Sequence, residues 1–143
     1  MDGKYRHAPE AWDDVRASLD ACLAERAFAR RLYVRLANGP GSLARHVRAV
    51  DARRIIAGLP QALTTAVHFA RGCAPAQYEL ERLALIHARA GLRDEPSAVR
   101  AIVEAVVAAL GESDPHWSPA LERNWRRVLA IAARGLRRAA PAA

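Results

Sequence analysis

The chain has 143 residues, 52% of them hydrophobic, the size and composition of one domain with one core. Its 22 Lys+Arg against 15 Asp+Glu give a formal charge of +7. Cys22 and Cys73 are too far apart for a C-x-x-C metal knuckle and too few for a disulfide framework, so two buried or half-buried free thiols are expected. No apolar run approaches bilayer length and Met1 to Glu10 is polar, so a soluble, cytoplasmic chain with no membrane partner is expected. The arginines come as scattered pairs (Arg30-Arg31, Arg53-Arg54, Arg126-Arg127, Arg137-Arg138), which favours a solvated helical surface over a nucleic-acid footprint.

Every long segment has helical period and none reads as a strand, so the expected fold is all-α, with six or seven helices around one pocket. The first helix starts near Pro9, with Trp12, Val15, Leu19 and Leu23 on one face. A second spans about Glu25 to Ala37 and presents Ala29, Leu32, Tyr33 and Leu36. Asn38-Gly-Pro-Gly41 stops it, and a short helix over Ser42 to Val47 follows. Asp51 is a plausible N-cap for a long helix with the stripe Ile55, Leu59, Leu63, Ala66 and Ala70. Gly58 and Pro60 inside it predict a kink or a later start.

Pro75 to Ala90 reads as a helix ended by Gly91, with Leu80, Leu83, Ala84 and His87 at i, i+3, i+4 and i+7. An imidazole on such a stripe needs partners for both ring nitrogens. Two readings are open: a core histidine with ordinary hydrogen bonds, or a metal ligand whose other nitrogen donates to a carbonyl one turn upstream. Asp94-Glu-Pro-Ser97 opens the next helix, which turns Val99, Ile102, Val103, Val106, Val107 and Leu110 inward and ends at Gly111. Ser118-Pro119 starts the last, with Leu121, Trp125, Val128, Leu129, Ala132 and Leu136 on its face.

These landmarks, in their order and separation, resemble the globin family, and within it the bacterial single-domain and flavohaemoglobin-type branch. Arg31-Leu-Tyr-Val-Arg-Leu36 resembles the family's second-helix segment. Leu43-Ala-Arg-His-Val-Arg-Ala-Val-Asp51 resembles the turn into the distal helix. His87-Ala-Arg-Ala-Gly-Leu92 resembles the proximal histidine followed four residues later by glycine, and Trp117-Ser-Pro-Ala-Leu-Glu-Arg-Asn-Trp125 the entry to the last helix.

The resemblance implies a globin-like domain over residues 1–143 that binds haem b, with His87 as the iron ligand. It implies Tyr33 as a distal hydrogen-bond donor to a gas ligand, Ile55 at the distal gate and Leu59 one turn deeper. Val47, Leu83, Val99, Ile102 and Val103 would complete an apolar slot. The implied function is reversible binding of O2, NO or CO at a five-coordinate iron, for storage, scavenging or sensing. Arg89 and Arg93 are candidates for the propionates, and His46 adjoins the haem edge.

The chain departs from the family's pattern at four places. Val47 stands where the family has phenylalanine, and Ile55 where this branch has Gln or His. Val99 and about Ala140 replace the tyrosine and glutamate that charge the proximal histidine in flavohaemoglobins. No reductase segment appears by Ala143, so NO dioxygenation is expected only with a separate reductase. That reductase, the gas and a second copy of the chain are the partners this reading admits. Two alternatives stand beside it: a globin-fold interaction or regulatory module without haem, motivated by Val47 and Ile55, and a basic helical module for nucleic acid, resting on charge alone.

Overall fold

A computed structural model describes residues 9–89 and 95–139. Among the described residues the chain forms seven α-helices and no strand. They are α1 (Pro9–Ala24), α2 (Phe28–Ala37), α3 (Ser42–Arg48), α4 (Ala52–Ala70), α5 (Ala74–Arg89), α6 (Pro96–Ser113) and α7 (Pro119–Ala139).

Local chemistry accounts for most of the boundaries. Asp51 caps α4, its carboxylate accepting from the Arg53 N–H at 3.0 Å. The Ser118 hydroxyl accepts from the Leu121 N–H at 3.1 Å and Pro119 opens α7. Two expected boundaries differ, at the start of α2 and the end of α6, and the later start that Pro60 offered for α4 is not taken. Helix α2 begins at Phe28, because Glu25 to Ala27 form a turn in which the Glu25 carbonyl accepts from Phe28 N–H at 3.2 Å. Helix α4 starts at Ala52 and runs through Pro60 unbroken. Proline there costs about 3 kcal/mol, whereas burying Leu63 and Val67 returns about 1.5–3 kcal/mol each. Helix α6 continues past Gly111 to Ser113. The glycine is a close approach instead: a Cβ there would lie 3.1–3.4 Å from the Trp117 ring.

Helix α2 packs on α6, α1 packs on α7, and α4 packs on both α5 and α7. The largest wholly buried side chains include Trp125, Phe28, Leu32, Leu43, Leu80 and Leu110. Trp125 is pinned by a buried hydrogen bond from its indole N–H to the Ser18 hydroxyl at 2.9 Å, joining α7 to α1. The thiols divide. Cys22 is buried as expected, but Cys73 is exposed, because it lies in the α4–α5 turn where no third element covers it.

Candidate functional site around His87

His87 lies in the last turn of α5, above Leu80 and Ala84, both fully buried. The imidazole itself is half-buried, and burial pulls its pKa below the ordinary histidine value. Neither the ordinary hydrogen bonds of a core histidine nor a bond to a carbonyl one turn upstream is formed: among the described residues His87 has no hydrogen-bond partner.

The ring faces a cavity of about 30 Å³, which widens to about 370 Å³ when its open side is included. Its wall is apolar, with Ala84 from α5, Val99 and Ile102 from α6, and Ala133 and Leu136 from α7. Arg137 lines it as well, and its side chain is exposed, so the stem covers the wall while the charge reaches water. No carboxylate lines the cavity among the described residues. Ala133 and Arg137 escaped the sequence reading, although 133, 136 and 137 share one helix face at i, i+3 and i+4.

The expected lining residues fall into two groups. His87, Val99 and Ile102 come together at this cavity. Tyr33, Ile55, Leu59 and Val103 are half-buried and pack against the main core, which also contains Val47, fully buried on α3. Leu83 is half-buried one turn before His87. Thus Ile55, Leu59, Leu83, Val99, Ile102 and Val103 remain half-open, while Val106, Val107 and Leu110 further along α6 are closed. Among the described residues the Tyr33 hydroxyl makes no hydrogen bond. Arg89 is exposed at the end of α5, while Arg93, Gly91 and Ala140 lie outside the described residues.

A polar cluster ties α3 to the start of α6. The Ser42 hydroxyl donates to Glu95, and the other Glu95 oxygen lies 3.8 Å from His46 Nε2. His46 is therefore half-buried against a protein carboxylate and not a free surface residue. Its signal in the sequence was weak, because Glu95 is 49 positions away. His68 and His116 are exposed. No three His, Cys, Asp or Glu side chains come together as a metal site among the described residues. Haem iron takes one side-chain ligand from a globin-like chain, and an imidazole that has no partner among the described residues and faces an apolar wall is chemically suited to that role.

This arrangement of seven helices is an all-α, globin-like fold. A solved structure from Pseudomonas aeruginosa, described as structurally highly homologous to a human hemoglobin, superposes on it with a TM-score of 0.80. The two are 21% identical, and the alignment covers 92% of this chain and 99% of that one. No family model matches the sequence, and no curated protein matches it. No described helix is long and apolar enough to cross a membrane.

Proposed function

We propose that this chain is a haem-binding globin that reversibly takes up O2, NO or CO. The observation that carries the reading is His87, an imidazole on α5 facing an apolar wall, with no hydrogen-bond partner among the described residues. Burial favours its neutral form, and neutral imidazole is the form that ligates iron. His87 would hold the haem, and the haem iron would supply the site for reversible binding of a diatomic gas.

The chain's own residues define what that site would meet. Val99, Ile102 and Leu136 give the histidine side an apolar wall. Ile55 cannot donate a hydrogen bond, so Tyr33 is the distal donor in this reading. A carboxylate beside His87 would strengthen its push on the iron and favour O–O bond chemistry. Arg137 stands there instead, which favours reversible binding over oxygen activation. Storage, scavenging or sensing of the gas is the role that reversible binding would serve.

Titration of the purified protein with hemin tests the proposal. Saturable one-to-one binding is expected, with a ferrous spectrum that shifts on adding CO. Hemin that stays unbound would leave the fold serving as a haem-less interaction module.

A further inference from the structure

We propose that the face formed by α2 and α6 joins this chain to a second copy of itself in a two-fold symmetric dimer. A surface groove of about 970 Å³ runs between these helices and shares no residue with the His87 cavity. On the α6 side its lining residues run from Ala101 to Glu112, or about 16 Å of helix at 1.5 Å per residue. Ala101, Ala105 and Ala108 give that side a small apolar floor. On the α2 side Val34 also lines the groove and is 51% exposed, a branched apolar side chain with no cover.

A two-fold interface uses the same patch on both subunits, so the patch must carry both halves of each match. This one does. Val34 is a projection and the alanine floor is a recess that would receive it. The charges divide in the same way: Arg30, Arg31 and Arg35 line the α2 wall, and Glu104 and Glu112 line the α6 wall. Laying α2 of each copy against α6 of the other sets three cations opposite two anions, twice. Within one chain four of these five charges sit in exposed pairs, Arg31 with Glu25, Arg35 with Glu112 and Glu104 with Arg126, and the dimer would exchange such pairs for contacts across the interface. Arg30 has no ion-pair partner among the described residues. The acidic wall disfavours a nucleic-acid backbone in the groove, and the presence of both complementary walls on one surface favours a second copy over a foreign helix.

Sedimentation of the full chain over a range of concentrations tests this, with helical circular dichroism as the check on folding. The wild type should show a concentration-dependent dimer. Arg30→Glu with Arg31→Glu makes both walls acidic, and Glu104→Arg with Glu112→Arg makes both basic. Each variant alone should dimerise at least about tenfold more weakly, and an equimolar mixture of the two should recover the dimer. Val34→Glu, at an exposed site that the fold tolerates, should also dissociate it and decides the matter if a charge variant misfolds. A wild type that stays monomeric, variants that dimerise normally, or a mixture that fails to recover would each overturn the proposal. None of these outcomes depends on whether haem is bound.

Discussion

Gly135 faces Phe69 of α4 and Leu80 of α5, and replacing it with alanine sets two effects of opposite sign against each other. In an exposed helix interior, Gly→Ala stabilises by about 1 kcal/mol through backbone entropy. Here the added methyl would overlap the Phe69 ring and come within 2.7 Å of a Leu80 methyl. The Phe69 ring is half-buried and can swing, but Leu80 is closed in, with 1% of its surface exposed. Overpacking of this kind costs about 1–3 kcal/mol. Because Leu80 has no room to yield, the upper part of that range applies, about 2–3 kcal/mol. Less the gain of about 1 kcal/mol, this leaves Gly135→Ala about 1–2 kcal/mol less stable, its Tm lower by roughly 2–8 °C. Gly58 on α4 supplies the control, because a Cβ there meets nothing within 4 Å. Gly58→Ala should therefore gain about 1 kcal/mol. Urea denaturation followed by circular dichroism measures both variants. Adding Phe69→Leu to Gly135→Ala should recover part of the loss. A Gly135→Ala protein as stable as wild type would refute the reasoning, as would a destabilised Gly58→Ala.

Tyr33→Phe should speed O2 release roughly 10- to 150-fold, the loss of one hydrogen bond to a partially charged acceptor. It should change CO release far less, and equal effects on the two gases in flash photolysis would show that Tyr33 points elsewhere. Ser18→Ala strands the buried Trp125 N–H and should cost about 1–3 kcal/mol, whereas a change under about 0.5 kcal/mol in urea melts would show that the indole finds another acceptor. Disulfide reagents at pH 8 should label Cys73 at once and Cys22 only after unfolding, because burial raises the Cys22 thiol to about 11. The same raised value means that Cys22 adds stability fully present below pH 9 and lost as pH climbs toward 11. Flat stability across that window in Cys22-containing protein, compared with Cys22→Ala, would contradict this sign.

The parts of this fold written in local chemistry were legible. Asp51 and Ser118 announced their helices through their own side chains, and helical spacing placed Leu80, Ala84, Val106, Val107 and Leu110 inside. Tertiary contacts were not legible. Gly111 carries the signature of a helix end, but it serves to admit the Trp117 ring, which only the folded chain brings there. Pro60 reads as a break until burial of Leu63 and Val67 is weighed against it. The bond between Ser18 and Trp125 spans 107 positions and leaves no pattern in either neighbourhood. The candidate site was half legible. Helical period brought out His87, Val99 and Ile102, while Arg137 belongs to a cationic stretch that resembles ordinary solvated surface.

Hemin titration of His87→Gly beside the wild type tests the central claim most directly. The variant removes the imidazole and leaves a space beside Val99 and Ile102 that free imidazole can enter. The wild type should bind one hemin and give a five-coordinate ferrous spectrum. His87→Gly should bind hemin weakly with an altered spectrum, and added imidazole should restore the wild-type bands. Identical binding and spectra in the two proteins would contradict the assignment of His87, and a wild type that binds no hemin would contradict the haem-globin reading itself.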